Sequence, residues 1–198
     1  MSVLSLDQAA HPLAASALRT GKLHLGAGPH IFEGWTNIDA YPGPGGFSWD
    51  LRNPLPLPDP SVRYIYSEHF FEHLTRGEGH ALMSECRRVI RDDGAVRISM
   101  PDLELVLRYY ELCKSDPSRL NDVHKLDWRP ATACAMINEA MHHWGHQFLY
   151  NASEVELLFQ QAGFTRCEPV PYRESKHEAL RGLEVRPFLD ELIFEAYP

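Results

Sequence analysis

Residues 22–40 read Lys-Leu-His-Leu-Gly-Ala-Gly-Pro-His-Ile-Phe-Glu-Gly-Trp-Thr-Asn-Ile-Asp-Ala. A short apolar run enters two closely spaced glycines, and a second short strand then ends on an acid. Gly26 and Gly28 allow a sharp turn and a close approach of backbone to a ligand. The carboxylate of Asp39, at the end of the next strand, can accept hydrogen bonds from ribose hydroxyls. The stretch predicts the opening of a nucleoside-binding α/β domain.

The spacing bears on which nucleoside. A dinucleotide site calls for a third glycine, with an acid about 20 residues further on and a helix N-terminus under the pyrophosphate. Here the third-glycine position is Ile31, and Asp39 arrives early. Residues 29–34 leave room for one or two helical turns, near or below the usual minimum of about 10–12 residues for a parallel crossover. A ligand with ribose hydroxyls and no phosphate, such as S-adenosylmethionine, asks less of that segment.

Working outward, residues 47–51 and 62–66 read as the third and fourth strands, joined by the proline-rich loop 53–60. Residues 79–91 place Leu82, Cys86, Val89 and Ile90 on one helical face, and the strand 95–100 follows. Pro101 stops that strand, and Asp102 caps a helix whose Leu and Tyr stripe, 103–110, reads as core before pocket wall. Residues 153–162 form a further helix closed by Gly163. Residues 164–170 and 191–197 are the last strands. On the N-terminal side, 4–18 has helical content, with Pro12 at a helix start or break. Alternating strands and helices imply a mostly parallel sheet covered on both faces.

Several segments, in this order, resemble the class I S-adenosylmethionine-dependent methyltransferases, in particular a small bacterial methyltransferase type 11-like group. They are the Leu-Gly-x-Gly opening, Gly34-Trp-Thr-Asn-Ile-Asp39, Asp50-Leu51 and the run Tyr66-Ser-Glu-His-Phe-Phe-Glu-His-Leu74. Residues 85–102, His146-Gln-Phe-Leu-Tyr-Asn151 and Ala162-Gly163-Phe164 complete the set. The resemblance covers about residues 22–170. It implies a Rossmann-like three-layer sandwich whose seven-stranded sheet is mostly parallel with an antiparallel last strand, for which 191–197 is the candidate. It also implies methyl transfer from S-adenosyl-L-methionine to a small-molecule acceptor, an oxygen on a sugar or metabolite. The cofactor residues are then Leu25, Gly26, Ala27, Gly28, Asp39, Ala40, Asp50, Leu51 and Ser67, with Asp50-Leu51 beside adenine. The wider class often has an acid two places before the first glycine, where this chain has His24. The third glycine of G-x-G-x-G is His30.

Methyl transfer requires alignment of the acceptor and, for a hydroxyl acceptor, a group to take its proton. His69, just after the fourth strand, is the candidate general base or acceptor contact, and a purely positioning role for it stays open. His146 is the second catalytic candidate. Trp144, His146 and Tyr150 suggest an aromatic wall with a polar handle. Glu68, His69, Glu72 and His73 form one polar cluster, and His142, His143 and His146 another. A metal site would require the two segments to meet, and the expectation is no metal, with His73 packing against or capping its neighbouring helix.

The chain has 198 residues and a net charge of -8. The length fits one domain, 1–198, with 1–20 a helical extension and 113–150 a lid or substrate-side insertion, a dimer surface being the other reading of that insertion. The charge and the lack of a basic run argue against nucleic acid. Cys86, Cys113, Cys134 and Cys167 form no C-x-x-C pair, and no signal peptide or long apolar span is evident. The chain therefore reads as cytoplasmic and reduced, with no membrane role. A noncatalytic adenosylmethionine-binding module and a nicotinamide-dependent oxidoreductase are the competing readings.

Overall fold

The centre of the sheet is formed by β1 (Lys22–Leu25) and β4 (Val62–Glu68) in the computed structural model, which describes residues 11–124, 128–186 and 191–198. β2 (Thr36–Asp39) and β3 (Phe47–Ser48) extend it to one side. On the other side lie β5 (Ile90–Pro101), β7 (Glu191–Tyr197) and β6 (Arg166–Pro169), giving the order β3-β2-β1-β4-β5-β7-β6. The first five strands pair in parallel, and β7 runs antiparallel to both β5 and β6. The expected Rossmann-like sheet with an antiparallel last strand is therefore present. β3 is shorter than the sequence suggests, because the pairing with β2 ends where Trp49 N donates to Asp39 O (2.9 Å), and a turn closed by Asn53 N donating to Asp50 O (2.9 Å) follows at once. β4 runs two residues further than expected, since Ser67 and Glu68 remain paired with Ile98 and Ser99.

Helix α1 (Pro12–Thr20) starts with Pro12 in its first turn, where the missing N–H costs nothing, and stops at left-handed Gly21. Residues 4–10 of the predicted helix lie outside the described residues. α1 is no loose extension: Leu13, Ala14 and Ala17 are buried in the same core as Leu23, Ile38 and Ile65. α2 (Arg76–Val89) begins three residues before the apolar periodicity does, because Thr75 and Glu78 form a capping box. α3 (Leu103–Ser115) is capped by Asp102, whose Oδ1 accepts from Glu104 N at 2.9 Å.

The stripe 103–110 is not core as expected. It is half-buried to exposed, and Leu107 and Leu112 face solvent. Tyr109 and Tyr110 instead pack on a small second cluster of Cys113, Leu120 and Met136, contributed by α3, α4 (Leu120–His124) and α5 (Ala133–His142). The 113–150 segment thus brings a small core of its own. α6 (Ala152–Ala162) is capped by Asn151 and ends at Gly163, φ 91°.

Strand alternation divides the sheet into two unlike faces. Leu23, Leu25, Ile38, Ile65, Val96, Ile98 and Phe194 form one with α1, α2 and α6. The register sets Asn37, His24, Tyr66, Arg97 and Glu195 in one row across the other. Arg97 is fully buried there and donates to Glu184 (2.6 Å), to Glu195 (2.8 Å) and to the carbonyls of Glu174 and Pro171. These bonds draw residues 171–186 over the polar face. Glu68 holds the same segment by accepting from Val185 N and Arg186 N.

Candidate functional site

The glycine loop lies at the carboxyl ends of β1 and β2 and is tied to Asp39. One Asp39 oxygen accepts from Gly28 N at 2.9 Å and the other from Tyr41 N at 2.8 Å. Gly26 (φ 68°) and Gly28 (φ 49°) both need the left-handed conformation, for different surroundings. A Cβ on Gly26 would lie 2.3 Å from the ring of Phe70, whereas one on Gly28 would meet nothing within 4 Å. The close approach at Gly26 is therefore made by the protein itself, and the open side belongs to Gly28. Behind the loop, Asn37 accepts from Phe32 N and donates to the carbonyls of Phe32 and Trp35, which fixes the 32–35 turn in place of a helix.

His24 stands where an acid is common, and it is structural. Its ring stacks on Phe32 (4.4 Å between centroids) and bonds Asn37 Oδ1 at 3.1 Å. Burial, against the opposing bond to Asn37, pushes its pKa down to about 4, so it is neutral in the fold.

The other cofactor candidates divide by burial. The side chains of Leu25 and Ala27 are buried, and so is that of Leu51, which belongs to the helix-covered core. Leu51 can therefore meet a ligand through its backbone but not through an exposed side chain. Ala40 is exposed, and its carbonyl accepts from Ser48 Oγ. Asp50 is forked by Arg52, with a shortest contact of 2.7 Å, which holds its carboxyl at about 2. Ser67 lies in register with Leu25, and its buried hydroxyl has no hydrogen-bond partner among the described residues. That orphaned hydroxyl and the open side of Gly28 are compatible with a polar ligand lying across the ends of β1 and β4.

His69 continues from β4 at positive φ (49°), its N–H donating to Ser99 O at 2.9 Å. Its Nε2 meets Glu191 Oε1 at 2.5 Å, and its Nδ1 lies 3.2 Å from Glu72 Oε1, at ion-pair distance without aligned hydrogen-bond geometry. Ser99 Oγ donates to the second Glu191 oxygen. Burial alone would lower the His69 pKa, but the two carboxylates outweigh it and raise it to about 9. His69 is therefore an imidazolium at neutral pH. Glu191, 122 residues away in sequence, is absent from the sequence reading. The available signal was a pair of acids four residues apart, Glu191 and Glu195, on one face of an otherwise apolar strand.

The two histidine clusters do meet. Gln147 N donates to Glu72 O at 2.7 Å, and the rings of His73 and His146 are 5.1 Å apart. His73 thus faces His146, where helix packing or capping was expected. His146 Nδ1 lies 2.8 Å from Ala140 O, a bond that requires the N–H on that nitrogen and leaves Nε2 with its lone pair. Burial lowers the His146 pKa despite this bond, opposite to the shift at His69. Trp144 is half exposed against His143 and Trp128, as a wall residue would be. Tyr150 is no substrate handle: it is fully buried, with its hydroxyl tucked against Gly79.

The strand order and these strand-end positions can be set against known proteins. No protein-family model matches the sequence, and no curated protein matches it. Solved structures do. An S-adenosylmethionine-dependent methyltransferase of Archaeoglobus fulgidus superposes with TM-score 0.55 at 13% identity, over 89% of this chain and 85% of its own. The chain has the class I methyltransferase fold. A Thermotoga maritima methyltransferase gives TM-score 0.54 at 14% identity, over 89% of this chain and 81% of its own. A longer Nostoc punctiforme protein described as an O-methyltransferase gives 0.51 at 10% identity. That match covers 94% of this chain, which spans only 57% of the Nostoc protein. Among the described residues no helix is long and apolar enough to cross a membrane.

Proposed function

We propose that this methyltransferase-fold chain binds S-adenosyl-L-methionine across the ends of β1, β2 and β4 and transfers its methyl group to an oxygen of a small-molecule acceptor. The observation that carries the reading is the tie between Gly28 and Asp39, which sets an open glycine beside a strand-end carboxylate in the methyltransferase strand order. Asp39 has one lone-pair direction left on each oxygen for ribose hydroxyls. Ser67 supplies an unpaired hydroxyl beside Leu25, and the backbone of 50–51 borders the base.

Bound, the cofactor supplies an electrophilic methyl on a sulfonium. The chain has to align the acceptor and receive its proton. His69 and His146 take the acceptor side, with pKa values displaced in opposite directions. His69 is charged and held between Glu72 and Glu191, so it orients and polarises. His146, neutral with a free Nε2, has the capacity to accept.

Calorimetric titration with S-adenosylmethionine and S-adenosylhomocysteine, with NADH as control, tests the reading. Wild type is expected to bind both sulfur ligands, and Asp39→Ala to lose at least about tenfold, the equivalent of one charge-assisted hydrogen bond or more. NADH binding by folded protein that ignores both sulfur ligands would reject it.

A further inference from the structure

We infer that Glu72, His73 and His146 form a divalent transition-metal site with room for an exogenous oxygen ligand. One ligand atom from each residue lies within 4.8 Å of the other two. Metal–nitrogen and metal–oxygen bonds of about 2.0–2.2 Å put ligand atoms about 3–4 Å apart, so side-chain rotation of about 1 Å closes the set around an ion.

Three independent features single this cluster out from a chance gathering of polar groups. The Glu72 carboxylate is 1% exposed, and neither of its oxygens receives an aligned hydrogen bond among the described residues. Its ionic neighbour His69 lies 3.2 Å from Oε1 and is shared with Glu191, so the carboxylate keeps acceptor capacity, and a second cation would use it. The bond from His146 Nδ1–H to the Ala140 carbonyl leaves Nε2 as the nitrogen with a lone pair to offer a metal, and it is the kind of outer bond that metal-bound histidines make. The backbone bonds from Gln147 N and Phe148 N to Glu72 O strap the two sequence segments together at this point, so the juxtaposition is built into the fold.

Two imidazoles and a carboxylate suit zinc, iron, cobalt or nickel better than magnesium or calcium, which prefer oxygen sets. Three protein ligands leave at least one position for water or another oxygen. Resting on the proposed methyl transfer, that position is where an acceptor hydroxyl would bind and be acidified by the ion, its proton passing to solvent water. His146 then acts through the metal instead of taking the proton itself, and Glu72 links the ion to His69.

The test is titration of chelator-treated full-length protein with Co²⁺ and with Zn²⁺, followed by calorimetry, the visible cobalt spectrum and tryptophan emission. Trp144 lies 5.7 Å from the His146 ring and serves as the emission reporter. One saturable equivalent is expected, with a cobalt band for nitrogen and oxygen ligands. Glu72→Gln and His146→Gln should each weaken binding at least about tenfold, while the exposed neighbour variant His142→Gln binds as wild type does. Circular dichroism of each variant separates loss of a ligand from loss of fold. Absence of a saturable equivalent overturns the inference, as does binding that survives both ligand variants or that follows His142. Because no cofactor is present, the result is independent of the methyltransferase reading: metal bound without S-adenosylmethionine binding keeps the site and rejects that reading, and the converse does the reverse.

Discussion

Two clusters of buried charge share one face of the sheet, and they differ in what they leave over. Around Arg97 the guanidinium meets Glu184, Glu195 and two backbone carbonyls, and the whole group is sealed under residues 171–186. One step along the same strands, Ser99 and Glu191 hold His69, and His69 leads to Glu72, whose oxygens have no aligned donor among the described residues. The first cluster spends its donors on holding the chain together. The second keeps acceptor capacity in reserve beside histidines with oppositely displaced pKa values. A network centred on a fully buried guanidinium is a structural device even though Glu184 Oε2 is left without a partner among the described residues, and one that leaves both oxygens of a carboxylate without an aligned donor at the carboxyl ends of the strands is where chemistry is expected.

The comparison is sharpest under substitution of its two central groups. Arg97→Met strands two buried carboxylates and two carbonyls and should cost about 3–5 kcal/mol in urea unfolding. Glu72→Gln leaves His69 its Glu191 partner and should change metal-free stability by no more than about 1 kcal/mol. Equal losses in the two variants would erase the distinction between a closed and an open cluster.

His24 provides a neutral counterpart, a buried titratable group whose needs are met by Asn37 and Phe32. Its folded pKa is about 4, below the ordinary imidazole value of 6.5, so between those values the unfolded chain binds the extra proton. Its stabilising contribution is complete above pH 6.5 and is lost as pH falls toward 4, by about 3 kcal/mol at most. In His24→Asn, which keeps a donor for Asn37, the stability measured by urea between pH 7 and pH 4 should fall less steeply than in wild type. An unchanged slope would mean that His24 is already charged in the fold.

The fold was legible because its signals are local. The Leu-Gly-Ala-Gly turn, the Asp102 and Gly163 caps and the strand composition of 62–66 and 191–197 each act within a few residues. The tie on which the proposed cofactor site rests is local too, Gly28 and Asp39 being 11 residues apart. The histidine clusters proposed for the acceptor side depend on contacts that no local pattern encodes. His69 finds Glu191 across 122 residues, and His146 finds His73 because backbone bonds tie 147–148 to Glu72. The misread residues follow the same rule. Tyr150 looks like part of an aromatic wall in sequence, and the stripe 103–110 looks like core, because burial depends on which distant element arrives to cover them.

The contrast between filled and open surroundings reappears at the two glycines, where the effects are smaller but the separation is cleaner. Gly26→Ala meets a positive φ and the Phe70 side chain together, and should cost about 2–3 kcal/mol. Gly28→Ala meets only the positive φ and should cost about 1 kcal/mol. Ligand affinity is expected to rank them in the opposite sense. A methyl on Gly28 projects into the open side next to Asp39, so this milder variant should lose more S-adenosylhomocysteine affinity per unit of stability lost. Thermal unfolding and calorimetry on the same preparations check both orders. If Gly28→Ala binds as wild type does, the ligand does not use the open side of the loop, and the space over Gly26 becomes the place to look, with Phe70 displaced.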